Sequence, residues 1–187
     1  MACISGRPPR VPPRPNKDME APRKAGHEGV VRSTALCKIA ELLRESFMSA
    51  SPAWSLNSQL EKDTINIGDL PLSRVLVIKD ANYPWLLLVP RRPDATEITD
   101  LSEIEQAQLM TEINRVGRAL KDITKPDKLN IAALGNVVPQ LHVHLIARRT
   151  TDAAWPRPVW GVVPALAHDP QEVETFIAAL RRRIWLS

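Results

Sequence analysis

Two of the four histidines in this 187-residue chain stand two positions apart in the run Gln140-Leu141-His142-Val143-His144-Leu145-Ile146. The alternation of polar and apolar residues predicts a strand, on which side chains two apart share a face. Gln140, His142 and His144 then project together, while Leu141, Val143 and Leu145 turn into a core. The other two histidines, His27 and His168, fall in the N-terminal tail and in a loop. Just upstream, Gly135-Asn136 allows a tight turn beside this row and supplies an amide. Three readings compete for such a pair. The imidazoles can simply face solvent or pack quietly. They can grip zinc, which needs a third protein ligand and usually a fourth group, from Asp, Glu or His168. Or a neutral imidazole, available near pH 7, can attack phosphorus as a nucleophile.

The elements that must position this row are legible from Trp54 onward. Residues 63–67, 74–79 and 84–89 read as strands. Asp80-Ala81-Asn82 supplies a turn between the second and third, so these two should pair as an antiparallel hairpin. The unbroken apolar run of the third predicts burial on both faces. Asp100 is placed to cap a helix, with Glu103 three residues on and Glu105 adding negative charge at the positive end of the dipole. Leu109, Ile113, Val116, Leu120 and Ile123 recur at alternating spacings of four and three, which makes one apolar face. Pro126 stops that helix. Residues 128–134 read as a strand, 140–147 as the last strand, 150–168 as irregular and 170–185 as an amphipathic helix. No internal repeat is visible. The class is α+β, an antiparallel sheet of about five strands with a long helix and a C-terminal helix on it.

Charge and composition divide the chain. Residues 1–47 hold nine Lys/Arg and five Asp/Glu, whereas residues 48–187 hold sixteen of each, so the whole net charge of +4 belongs to the N-terminal part. A neutral domain lacks the basic face that general nucleic-acid binding requires. The run Arg7-Pro8-Pro9-Arg10-Val11-Pro12-Pro13-Arg14-Pro15 predicts a disordered or polyproline-like extension over 1–47. Acidic residues at Asp18, Glu20 and Glu28 argue against a transit peptide. A short helix is expected over 34–47. Met48 reads as an alternative initiator, with 1–47 as upstream over-annotation; an intact mass that includes 1–47 would refute this. Cys3 and Cys37 both lie in the extension, so no disulfide framework holds the 48–187 domain and a reducing cytoplasm is expected. No apolar run reaches the ~18 residues of a membrane span.

The pattern is longer than a histidine pair. The segment Asn130 to Ile146, with Gly135-Asn136, a short spacer, and polar Gln140, His142 and His144 alternating with apolar residues, resembles the signature strand of the histidine triad (HIT) family. Upstream, Tyr83-Pro84-Trp85-Leu86-Leu87-Leu88-Val89-Pro90-Arg91-Arg92-Pro93, then Thr99-Asp100-Leu101, is similar to the family's hairpin and linker helix. The resemblance covers about residues 55–165.

It implies a HIT-like fold, a homodimer and a small-molecule nucleotide substrate. His142 would attack the α-phosphorus to form a covalent nucleotidyl-imidazole that water hydrolyses, releasing a nucleoside monophosphate from a dinucleoside polyphosphate or a nucleoside phosphoramidate. His144 would hydrogen-bond the phosphate oxygens and assist the leaving group. Asn136 stands where the family has a phosphate-contacting glutamine, and Asn130 matches a polar residue near the same phosphate. Gly135 shapes the turn, and Arg92 or Arg91 could reach phosphates. No metal or organic cofactor is required, and Mg²⁺ would enter only with a polyphosphate. Two departures stand out. Gln140 replaces the first histidine, though its backbone carbonyl can still orient the nucleophile and its amide can still donate to phosphate. Trp85 replaces a hairpin histidine, which should remove a polar link behind the nucleophile. These departures keep two other readings open: a catalytically weak nucleotide-binding or sensing module, and a zinc hydrolase built on His142 and His144. Among the remaining residues, Arg148 and Arg149 read as a solvated strand end. Trp155 and Trp160, in a loop shaped by Pro156 and Pro158, either close over a ligand or partner or pack on the sheet.

Overall fold

The computed structural model describes residues 53–185. The extension, its candidate helix and the Met48 start lie outside the described residues. A six-residue helix α1 (Ser58–Asp63), not expected from the periodicity, opens the domain, with the Asn57 side chain accepting from the Gln59 amide. Then come β1 (Thr64–Asp69), β2 (Ser73–Ile78), β3 (Trp85–Pro90), α2 (Glu103–Thr124), β4 (Lys128–Ala133), β5 (Val143–Arg148) and α3 (Pro170–Trp185). The five strands form one antiparallel sheet in the order β1-β2-β3-β5-β4, as the class predicts.

The sheet is buried on both sides. On one face Val75, Val77, Leu86, Leu88, Val143, Leu145 and Ala147 pack with Leu109, Ile113, Val116 and Leu120 of α2 and Ile177, Leu180 and Ile184 of α3. On the other, Leu76, Trp85, Leu87, Val89 and Ile146 meet Leu60, Tyr83, Ala154 and Val159, the last two from the irregular segment after β5. Every residue of β3 and of β5 is therefore buried, which accounts for the continuous apolar run of the third strand. Buried Glu112 interrupts the apolar face of α2: its carboxylate accepts from the backbone amides of Leu72 at 2.7 Å and Ser73 at 2.9 Å, pinning the β1–β2 turn. The C-terminal helix α3 meets the edge strand β1 at Gly68, which sits at a β1 irregularity with φ +146°; a Cβ there would lie 2.9 Å from the Trp185 ring.

Two boundaries differ from expectation. The helix cap is Ser102, whose side chain and that of Glu105 form a reciprocal capping box; Asp100 instead closes a separate turn with Glu97. Both residues can cap, and the long helix starts at the one that has a carboxylate three residues on in register with its apolar face. The last strand begins at Val143 rather than Gln140. Gly135, at φ +72°, turns the chain away after β4, so the ladder ends at Ala133↔Val143, and the Leu141 amide donates to Ala95 O at 2.9 Å instead. The helix termination at Thr124, two residues before the Pro126 stop, follows the sequence.

Candidate functional site

The site is built on β5, the strand between β3 and β4. His144 lies in register between Leu87 of β3 and Ala132 of β4, and so on a rigid part of the sheet. His142 precedes the strand by one residue, yet its ring still meets that of His144 with centroids 4.9 Å apart. Both side chains are buried. Trp160, from the irregular segment, closes the group: its ring centroid is 5.2 Å from that of His144 and 5.6 Å from that of Trp85.

The two imidazoles are held in opposite ways. His142 Nδ1 is 2.7 Å from Gln140 O. A carbonyl only accepts, so the proton lies on Nδ1 and Nε2 carries a free lone pair. At His144 the indole Nε1 of Trp85 donates to Nδ1 at 3.0 Å. An indole only donates, so Nδ1 is unprotonated and the neutral ring carries its proton on Nε2. Burial, with a smaller contribution from the neighbouring His142, lowers the His144 pKa from 6.5 to about 4. With both rings neutral the site offers one bare imidazole nitrogen and one N–H donor side by side.

Trp85 supplies a polar link, to His144. Gln140 bonds the segment before α1. Its side chain donates from Nε2 to Ser55 O at 2.8 Å and accepts at Oε1 from the Asn57 amide at 2.9 Å, while its carbonyl holds His142. The amide ties the segment before α1 to the site, along a cleft of about 380 Å³ lined by Trp54, Asn57, Asp94, Thr96 and Gln140 among others.

The remaining candidates divide. Gly135 lines a small recess with His142, Thr96 and Glu97. Asn136 stands exposed on the same turn. Asn130 shares the face of Ala132 and His144 one step along β4, and its Oδ1 accepts from Arg148 Nη1 at 2.7 Å. Arg92 is drawn away from the histidines into an ion pair with Glu105 at the start of α2. Arg91 donates to Leu70 O and Pro71 O, bracing the β1–β2 turn. His168 is also elsewhere, with Nε2 3.0 Å from Ile78 O. Among the described residues no group of three His, Cys, Asp or Glu is arranged to hold a metal, so the zinc reading lacks its third ligand.

Arg148 is the clearest miss. It is not a solvated strand end: it is 1% exposed and paired with Asp152 at 2.7 Å, and it also donates to Arg157 O at 3.0 Å. Its guanidinium lies against the rings of Tyr83 and Trp155. The Arg148 hydrogen bonds are the main reason the Asp152 pKa is lowered. The i, i+4 spacing of Arg148 and Asp152 was the available signal, but their burial under the irregular segment was not encoded locally. Arg149, by contrast, is exposed and donates to Thr124 O.

Residues 59–151 match the HIT domain. A crystal structure of a histidine triad protein from Bradyrhizobium japonicum is 80% identical, covering 72% of this chain and 100% of that one, with a TM-score of 0.71. A histidine triad protein from Sinorhizobium meliloti 1021 is 43% identical over 72% of this chain and 99% of its own, with a TM-score of 0.69. An AP-4-A phosphorylase of Mycobacterium tuberculosis is 29% identical over 147 residues, 72% of this chain and 74% of that protein. With a five-stranded antiparallel sheet and the paired imidazoles at the start of β5, this chain belongs to the histidine triad family.

Proposed function

We propose that this protein cleaves nucleoside phosphate derivatives at the α-phosphorus through a covalent nucleotide on His142. The observation that carries the reading is the opposite locking of the two rings: His142 Nδ1–H on Gln140 O and His144 Nδ1 under the Trp85 indole. In the first step the His142 Nε2 lone pair forms the N–P bond. The P–O bond to the leaving group breaks, and the leaving oxygen takes that electron pair. His144 Nε2–H donates to a phosphoryl oxygen as charge shifts onto it. In the second step the acceptor oxygen forms its bond to phosphorus, the N–P pair returns to His142, and the acceptor's proton passes to solvent. Dividing the reaction in this way lowers each barrier.

Gly135, which lines a recess with His142, and exposed Asn136 would contact the phosphate, as would Asn130 further along the face of His144. No resident cofactor takes part, and Mg²⁺ enters with a polyphosphate substrate. Water is the acceptor we favour. The relationship to an AP-4-A phosphorylase supports a dinucleoside polyphosphate as substrate and brings in inorganic phosphate as a second candidate acceptor. The proposal includes a homodimer in the cytoplasm. Among the described residues no helix is long and apolar enough to cross a membrane.

The decisive experiment is product analysis by chromatography after incubation with diadenosine tetraphosphate, with and without inorganic phosphate. AMP release identifies water as acceptor and ADP release identifies phosphate. Either product should fall by at least about a thousandfold in His142→Ala. Nucleotide binding with no turnover in the wild-type protein would favour a binding module instead.

A further inference from the structure

The contact between Trp85 and His144 bears on which bond the site can break. We propose that Trp85 is a positioning residue that confines this site to leaving groups that depart as anions, so that its substrates are phosphoanhydrides and not phosphoramidates. The proposal rests on His142 being the nucleophile.

The argument is one of proton supply. When a polyphosphate leaves phosphorus, the bridging oxygen keeps the bonding pair as a phosphate anion and needs only hydrogen bonds. When an amine leaves, its nitrogen must gain a proton as the P–N bond breaks, since the amide anion is far too basic to depart in water. A general acid must supply that proton, a contribution worth roughly a hundredfold to ten-thousandfold in rate.

His144 is the polar ring beside the nucleophile, and it would serve as that acid only as an imidazolium, with protons on both nitrogens. The Trp85 indole prevents this. Its N–H points at His144 Nδ1 from 3.0 Å, so a second proton on Nδ1 would set two donors against each other and forfeit the hydrogen bond. The ring contacts of His144 are with Trp85, Trp160 and His142, none of them a carboxylate that would stabilise the cation. His142 keeps its own proton on Gln140 O, facing away from the reacting nitrogen. The Gln140 amide is spent on Ser55 and Asn57. What remains is a neutral Nε2–H, a good hydrogen-bond donor to a departing oxyanion and a poor acid for a departing amine.

The test compares leaving groups on one nucleotide. Adenosine 5′-fluorophosphate and adenosine 5′-phosphoramidate are nearly the same size, but fluoride leaves without a proton and the amine does not. The expected result is cleavage of the fluorophosphate and of diadenosine tetraphosphate, with kcat/KM for the phosphoramidate lower by at least about a hundredfold. In Trp85→His, an imidazole that can accept from Nδ1–H should narrow the gap about tenfold or more. Because Trp85 is part of the core and that variant may not fold, ¹⁵N NMR of the wild-type histidines provides a second readout. The expected pattern is an Nε2–H tautomer for His144 and an Nδ1–H tautomer for His142. Phosphoramidate cleavage within about tenfold of the fluorophosphate would overturn the proposal, as would an Nδ1–H tautomer at His144. Failure of all three substrates would instead remove the nucleophile reading on which the proposal rests.

Discussion

His142 and His144 are chemically identical and two residues apart, and the partner at Nδ1 gives them different work. A carbonyl frees one Nε2 as a lone pair; an indole makes the other an N–H. The same environment has a cost in acid. The His144 pKa is about 4 in the folded protein, chiefly through burial, against 6.5 for a free side chain. Between these values the unfolded chain binds a proton that the folded chain does not, so stability rises with pH across the window. The contribution is fully present above about pH 6.5 and is lost as the pH falls toward about 4. Its full size is on the order of 3 kcal/mol. Urea unfolding at pH 7 and pH 4.5 should show this loss, and His144→Gln should reduce the slope. An unchanged slope in that variant would contradict the assignment.

At the scale of elements, the segment between β5 and α3 has no regular structure, yet it covers one face of the sheet and carries Trp160 to His144. Its anchor is Arg148, whose guanidinium is held by Asp152, Asn130 Oδ1 and Arg157 O. Removing one partner from a buried ion pair leaves an uncompensated charge, which typically costs about 3–5 kcal/mol. Asp152→Ala should lose that much in denaturant unfolding. It should also change tryptophan fluorescence before the main transition, as Trp160 leaves the site. A loss below about 1 kcal/mol would mean that the pair is dispensable. α3 is anchored differently: the Trp185 indole donates to Asp69 O at 3.1 Å and its ring lies over Gly68, where a side chain would not fit.

At the scale of the whole molecule, the sheet ends at β4, an edge strand that leaves backbone donors and acceptors without a neighbouring strand. Apolar side chains gather nearby: Ile131 on β4 itself and Leu134 and Val137 on the turn after it, with Val137 89% exposed. An edge of this kind is costly for an isolated chain and suited to a second copy, which supports the proposed homodimer. Sedimentation equilibrium should return twice the chain mass at micromolar concentration, and Val137→Lys with Ile131→Lys should shift it toward the monomer. A wild-type monomer at that concentration would remove the dimer from the proposal.

The sequence alone determined the class, five strands along the chain, the long helix and the C-terminal helix, because the periods of 2 and 3.6 are local properties of the chain. It also marked His142 and His144 and the turn at Gly135-Asn136, which lie within ten residues of one another. Only the tertiary structure decided what those residues meet. The Trp85–His144 hydrogen bond joins positions 59 apart, and the Gln140–Ser55 bond joins positions 85 apart. Such pairs depend on sheet register and on where the ladder stops, and a shift of one residue would send each side chain to the opposite face. The same holds for Arg148: its charge reads as solvated in the sequence, and only the segment folded over β5 makes it a buried anchor. Alternation put the histidines on one surface, and the local Gln140 carbonyl holds His142; a contact from a remote strand sets the tautomer of His144, and with it the chemistry that ring can do.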